Sequence, residues 1–521
     1  MTRSDLLHQL STTNKWDVII IGGGATGLGI AMDAATRHYK TLLVEQADFA
    51  KGTSSKATKL VHGGVRYMAQ GNLALVREAC YERGLLLKNA PHLTKNESFV
   101  IPCYSWFQCI KYTLGLKFYD LLAGKLSLGN SGYISRRQAI SSLLTVQQNG
   151  LKGAVLYHDG QFDDARLALN IAQTAIGNGA CVLNYMQVKT LLKNDKQQVN
   201  GIQFKDTETG ILHEAFGKVI INATGVYVDA ILKMDEPASA PLVRPSQGVH
   251  ITVDHSFLPG EHALMIPETS DGRVLFAVPW HNKLIIGTTD TPVITTTLEP
   301  MALESEINFI LETAGKYLTK KPLRSDVLSV FAGLRPLAAL NNTGEKTKEM
   351  SRSHKIILSA SGLLTITGGK WTTFRRMAQD VLKKAINAEL LPPARCVTEK
   401  LPIHGYTTNF DEKNPLHYYG SDLIKIEKFT AENPELSGIL LPGFPYTRAM
   451  VVWAIRYEYA RKIEDILGRR IRLLFLNAQA AISVAPLIAD MLAAELHRTD
   501  SWKMQELADF TKLAKGYLPD N

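Results

Sequence analysis

The 521-residue chain has little cysteine: Cys80, Cys103, Cys109, Cys181 and Cys396 are scattered, odd in number and without a CxxC pair. Such spacing supports neither a disulfide framework nor a zinc site, so no metal is expected, and it fits a reducing compartment. No stretch approaches the roughly 20 uninterrupted apolar residues of a membrane span. The N-terminus, MTRSDLLHQLSTTNK, lacks the apolar core and small-residue cleavage site of a secretory leader. The chain is therefore expected to be soluble or attached to a surface. A formal charge of +9 would suit a polyanion, an anionic membrane or a small anionic substrate. No basic tract is interleaved with aromatics, which ranks nucleic acid last among these. Internal repeats, low-complexity tracts and calcium-loop patterns are also missing. What remains, 45% apolar and 21% charged, is ordinary globular composition at a length suited to two or three domains.

The most informative stretch is WDVIIIGGGATGLGIAMDAATRHYKTLLVE, residues 16–45. An apolar run, a glycine loop, a helix-length segment and a second apolar run ending in an acid follow one another, which is the order of a dinucleotide-binding unit. Gly22 turns the chain out of the strand, Gly24 lets the backbone approach a pyrophosphate, and Gly27 packs the helix on the sheet. The phosphates sit on the open N–H groups of the helix start, at Ala25 and Thr26. Glu45 is placed to accept from the adenosine ribose, which favours FAD or NAD over NADP.

The next segment, residues 48–68, is dense in glycine, hydroxyls and basic groups. Thr53, Ser54, Ser55, Thr58 and Lys59 would donate to phosphate or flavin edges, with Leu60 among the same contacts, while Gly63 and Gly64 would let a planar ring lie on the backbone. A solvated surface loop is the competing reading. Helices are expected over residues 73–87 and 107–126. The second places Phe107, Ile110, Leu114, Phe118 and Leu121 on one face beside Lys111 and Lys117; a core helix is preferred there over one lying on lipid. Asp163 and Asp164 fit a helix start better than catalysis.

Sheet character returns near residue 154, with Val188 among the expected cofactor contacts, and again at KVIINATGVYVD, where Ala223, Thr224 and Gly225 end a strand. Residues 244–253 and 273–290 alternate like antiparallel strands. A further strand reaches Gly368 and Gly369, followed by Lys370, Trp371 and a helix entered through Thr372 and Thr373. Repeated interruption by other material suits FAD better than NAD. Residues 447–470 and 478–496 read as helices, and the charges Arg456, Arg461, Lys462, Arg469, Arg470 and Arg472 read as a solvated face balanced by Glu458, Glu464 and Asp465. The expected architecture is α/β plus α: a discontinuous Rossmann-type FAD-binding domain (1–75, 151–235 and 330–395), an antiparallel-sheet substrate domain (76–150 and 236–329) and a helical C-terminal domain (398–521).

Taken together, DVIIIGGGATGLG, TSSKATKLVHGGVRY, ATGVYVD, GVHITV, GTTD, AGLRPL, SRSHKI and TGGKWTTFR resemble the FAD-dependent glycerol-3-phosphate dehydrogenases of the aerobic, membrane-associated type. The resemblance covers nearly the whole chain. It implies a glutathione-reductase-type FAD domain, a homodimer, and oxidation of sn-glycerol 3-phosphate to dihydroxyacetone phosphate with electrons passing to a quinone. It implies attachment to the cytoplasmic side of an inner or plasma membrane, peripheral or monotopic, with a cytoplasmic enzyme as the fallback. It places Arg66, Tyr67, His250, Arg335, Arg352 and Lys370 around the substrate and His62 close to the flavin. Elementary chemistry agrees: Arg335 and Arg352 offer forks to a dianionic phosphate, Lys370 adds a point charge, and His62 or His250 serves as base. The polar segment 341–350 would be a lid. A missing calcium loop argues against the calcium-regulated mitochondrial form. The competing functions are a soluble oxidase that makes hydrogen peroxide from oxygen, and a non-catalytic FAD-binding redox module.

Overall fold

The computed structural model describes residues 1–520 apart from 66–67, 69–70, 271 and 339–353. Short apolar runs form its first layer. The strands Leu364–Thr367, Leu212–Asn222, Trp16–Ile21, Thr41–Val44 and Cys181–Leu183 lie side by side in that order, all parallel. Consecutive Val18, Ile19 and Ile20 have no exposed surface, so both faces of the sheet are covered, as parallel strands require. Lys355–Leu358 closes one edge antiparallel, and the hairpin Met186–Lys193/Val199–Asp206 extends from the strand Leu212–Asn222.

A second, ten-stranded and mostly antiparallel sheet carries the rest. Val243–Asp254 pairs with Ser329–Ala338 along nearly its full length, a register that sets His250 opposite Phe331 and Ser246 opposite Arg335. Val249, Ile251, Ile286 and Val330 of this sheet share a core with Ile307, Ile310 and Ala314 from the helix Glu304–Tyr317. Helices from residue 422 onward complete the molecule and join the core of the first sheet. The class expected from the sequence, α/β plus α with an antiparallel second sheet, is the one observed.

Several local readings change. Residues 447–470 are not one helix: Arg448–Tyr457 ends at Glu458, Tyr459 adopts φ 60°, and a separate wide helical turn covers Asp465–Arg470. The reason is electrostatic. Glu458 is drawn inward to a two-pronged pair with Arg166 (2.8 Å to each oxygen), and both side chains are buried. Arg469, Arg470 and Arg472, expected on a solvated face, are likewise buried: Arg469 and Arg470 close on Asp48 at 2.5 and 2.6 Å, and Arg472 meets Asp164 at 2.8 Å.

The helix Trp106–Ala123 changes in the opposite sense. Phe107, Ile110, Leu114, Phe118 and Leu121 are 74, 61, 65, 42 and 74% exposed, so the core-helix reading fails; the buried face is carried by Cys109, Leu116 and Tyr119 instead. Among the described residues one helix, Ala478–Leu496, is long and apolar enough by composition to cross a bilayer, although Gln479, Ser483, Asp490 and Glu495 interrupt its apolar residues, so the expectation of no uninterrupted apolar span stands. The helix contains Pro486, and Ala481, Val484, Ala485, Ile488 and Leu492 bury one face in the core.

Candidate functional site

A groove of about 320 Å³ runs across the carboxyl ends of the central strands of the first sheet. Gly22 holds φ +112°, and any Cβ there would sit 2.7 Å from the Ala223 carbonyl oxygen; a Cβ on Gly27 would fall 1.9 Å from the Gly22 carbonyl. These two glycines bring the helix Ala25–Thr36 against its strand with no side chain between. The helix starts at Gly24 without a side-chain cap, and Ser54 Oγ accepts from Ala25 N at 2.9 Å. With the Ala25 N–H taken by Ser54, the helix start at Thr26 still lines the groove, where a pyrophosphate is favoured by both hydrogen bonding and the helix dipole. Glu45 stands at the far end, each carboxylate oxygen accepting one backbone N–H, from Gly23 at 2.6 Å and Ala47 at 2.9 Å. Burial pushes its pKa up against those two bonds, and spare lone pairs face the groove for a vicinal diol. At Gly225, φ +61°, no atom lies within 4 Å of where a side chain would begin, so a flat ring has room. These features fit an adenine dinucleotide with a planar head.

Of the residues expected to hold the cofactor, Gly22, Gly24, Ala25, Thr26, Glu45, Thr53, Ser54, Val188, Ala223, Thr224, Gly225, Gly369, Lys370 and Trp371 line this groove. Others stand elsewhere. Ser55 is buried, and its carbonyl accepts from Lys59 and Arg472. Lys59 turns inward to Asp164, 2.7 Å away, with its ammonium near the rings of Trp280, Phe331 and Phe475; burial lowers its pKa to about 8. The missing side chain of Gly63 faces Tyr119 and Cys80 in the interior, and Thr372 is buried with its hydroxyl donating to the His62 carbonyl. Asp163 caps the helix Asp164–Gly177 by accepting from Arg166 N, the structural role its position suggested.

Beside the groove lies a smaller chamber of about 160 Å³, lined by Thr58, Leu60, His62, Arg273, Thr288, Asp290 and Arg335 together with the apolar side chains Val65, Phe99, Met265, Val274 and Phe276. The neighbours Arg335 and Pro336 face chamber and groove respectively. Arg335 is anchored from several directions. Its Nη2 donates to Thr288 Oγ1 and the Thr289 carbonyl, both at 2.9 Å, and its Nη1 to the Gln247 carbonyl at 3.2 Å and Asp290 at 3.3 Å. Arg273 rests over the Phe309 ring, 5.7 Å from its centroid.

The two candidate histidines are not equivalent. His62 lines the chamber. His250 is 2% exposed, stacked on Phe331 at 4.9 Å, and its Nε2 lies 2.9 Å from the Thr58 hydroxyl, which stands between it and the chamber. Burial, then the cations of Lys59 and Arg335, hold the His250 pKa well below the usual imidazole value, so the ring is neutral. Its Nδ1 has no hydrogen-bond partner among the described residues. The tautomer that leaves an unpaired acceptor there costs less than one leaving an unpaired N–H. In that form His250 donates to Thr58 and leaves the Thr58 proton free to point inward.

Arg66, Tyr67, Arg352 and the expected lid, 341–350, lie outside the described residues. Sequence reasoning missed Arg273, Thr288 and Asp290 as chamber residues and Lys51, Gln46 and Tyr227 as groove residues. The GTTD motif carried a signal for Thr288 and Asp290; nothing local marks Arg273.

Comparison with known proteins places these features. Residues 17–375 match the family described as FAD dependent oxidoreductase, and 363–503 match the C-terminal domain of alpha-glycerophosphate oxidase. The chain is 40% identical to the mitochondrial glycerol-3-phosphate dehydrogenase of Bos taurus over 97% of its own length and 74% of that protein's. It is 38% identical to the mitochondrial glycerol-3-phosphate dehydrogenase SDP6 of Arabidopsis thaliana over 95% and 85%. Among solved structures it is similar to the glycerol-3-phosphate dehydrogenase of Bacillus halodurans complexed with FAD, at a TM-score of 0.81 and 28% identity, covering 100% of this chain and 98% of that one.

Proposed function

The chain belongs to the FAD-dependent oxidoreductases and, within them, to the glycerol-3-phosphate dehydrogenases, and from that membership we propose that it oxidises sn-glycerol 3-phosphate to dihydroxyacetone phosphate and delivers the electrons to a membrane quinone. The observation that carries the reading is the chamber, where an anchored guanidinium and a histidine share a small space against the dinucleotide groove. Bound FAD supplies the hydride acceptor. The residues do the rest. Arg335, fixed by its four protein acceptors, presents a stationary positive charge to the phosphate, and Arg273 adds a second. Fixing the phosphate orients C2–H and confines the reacting carbon, which lowers the barrier without further chemistry. His62 takes the C2 hydroxyl proton, since it lines the chamber and His250 does not. His250 and Thr58 act as a unit, the neutral imidazole holding the hydroxyl so that it donates to a substrate oxygen. Lys370, on the groove side, serves the cofactor edge.

Support for a quinone acceptor comes from the helix Trp106–Ala123. Its exposed apolar stripe is flanked by Lys111 and Lys117, the pattern of a helix lying in the interface of an anionic leaflet. Its inner face packs with Phe99, Met265 and Val65, which also form the apolar chamber wall. Lipid and reaction chamber are therefore separated by one helix. Two measurements test the proposal. Anaerobic turnover with a short-chain quinone should far exceed oxygen consumption, and fast peroxide formation without quinone would make the enzyme an oxidase instead. Arg335→Ala should lower kcat/KM for the phosphate ester far more than for glycerol; equal losses would remove the phosphate role.

A further inference from the structure

We infer that Glu306, on the helix Glu304–Tyr317 behind the chamber wall, is the positioning residue that fixes Arg335 for phosphate recognition; the inference rests on the proposed role of Arg335. Glu306 is 4% exposed. Its Oε1 accepts from Thr289 Oγ1 at 2.8 Å and Thr291 Oγ1 at 2.6 Å, and its Oε2 from Gln247 Nε2 at 2.7 Å and Leu303 N at 2.9 Å. All four partners are neutral donors. Two of them belong to residues whose backbone carbonyls hold Arg335: Thr289 O and Gln247 O. The Thr289 hydroxyl also accepts from Val249 N at 2.9 Å, so Thr289 is tied at once to the strand carrying His250 and to Glu306.

The chemistry argues against a merely packing role. The same helix sends Ile307, Ile310 and Ala314 into the core, and an apolar residue at 306 would fill the space without the cost of burying a carboxylate. A carboxylate is suited because four donors converge on two oxygens, which a single amide oxygen cannot accept. Glu306 thus clamps the loop 288–291 against the strand Val243–Asp254 from behind, while Arg335 bridges the same two segments from the front. Loosening the rear clamp lets the front one drift, and the charge-assisted contact of a fixed guanidinium with phosphate is sensitive to such drift.

The test compares Glu306→Gln, Thr289→Val and Arg335→Ala in the FAD-loaded enzyme, using an artificial electron acceptor. Glu306→Gln turns an acceptor into a donor facing two donors, and Thr289→Val removes one spoke. Both should raise KM for glycerol 3-phosphate and the inhibition constant of inorganic phosphate by about tenfold, with kcat within about threefold and flavin content unchanged. Glu306→Asp should recover part of the loss. If Arg335→Ala raises both constants while Glu306→Gln and Thr289→Val leave them within about twofold of the parent, the positioning role is wrong and the phosphate role stands. If Arg335→Ala leaves them unchanged too, both fall. Should Glu306→Gln fail to fold, Thr289→Val alone decides.

Discussion

The helix Trp106–Ala123 and the seam around Asp48 break the usual rule in opposite directions. On the helix, large apolar side chains face outward. In the seam, Asp48, Asp164, Glu458, Arg166, Arg469, Arg470 and Arg472 are all buried. Both are costly if the chain is viewed alone, and the difference lies in where the compensating partner is. The seam carries its partners within the chain: Asp48 and Glu458 each meet a guanidinium fork, Asp164 is shared by Arg472 and Lys59, and the three-way meeting of Asp48, Arg469 and Arg470 ties the segment after Glu45 to the C-terminal helices. The helix has no such partner among the described residues, which is the mark of a surface made for something else.

The contrast breaks first, and most severely, in the seam. Arg166→Met leaves Glu458 buried without its fork and should cost about 3–5 kcal/mol, read as a fall in denaturation midpoint. Replacing both residues by methionine should restore most of that loss, because the penalty is the orphaned charge.

A sharper version uses Glu506, which borders the seam but is held by the backbone N–H of Ile463 at 3.0 Å instead of by a fork. Burial raises its pKa to about 7. The folded chain therefore holds this proton where the unfolded chain has released it. Stability from this group is complete below the unfolded carboxyl value and is lost as pH rises to about 7. Glu506→Gln should gain about 2–3 kcal/mol at pH 8 and almost nothing at pH 4, measured by denaturant unfolding.

The smallest effect on stability belongs to the helix. Changing Phe107, Leu114 and Leu121 to serine should alter the unfolding free energy by no more than about 0.5 kcal/mol for each, since none of the described residues covers them. Binding to anionic vesicles, read by sedimentation, should fall by about tenfold or more per residue. An equally large loss of stability with unchanged vesicle binding would place the helix under another part of the protein.

What the sequence disclosed follows the same division. The turn at Gly22, the bare helix start at Gly24 and the contact of Gly27 with Gly22 depend on a few neighbouring residues, and they were legible. So was the return of the chain at Ala223 and Gly369. Long-range pairing was not. Arg469, Arg470 and Arg472 looked solvated because Asp48 and Asp164 lie hundreds of residues earlier. His250 looked equivalent to His62 until the register of Val243–Asp254 against Ser329–Ala338 set it behind Thr58. Glu306 carried no local mark, since its significance comes from Gln247, Thr289 and Thr291. The exposed stripe on Trp106–Ala123 was visible as a periodicity, but periodicity cannot say which face turns inward; Cys109, Leu116 and Tyr119 settle that.

The central claim, that groove and chamber form one site in which Arg335 and His62 present a phosphate ester to the cofactor, is tested most directly by mixing the FAD-loaded protein with glycerol 3-phosphate without oxygen and following the flavin absorbance. Rapid, complete bleaching is expected for the parent protein, with a bleaching rate at low substrate that falls steeply in Arg335→Ala and His62→Asn. A yellow parent protein that stays yellow, or variants that both bleach as fast as the parent, would contradict it.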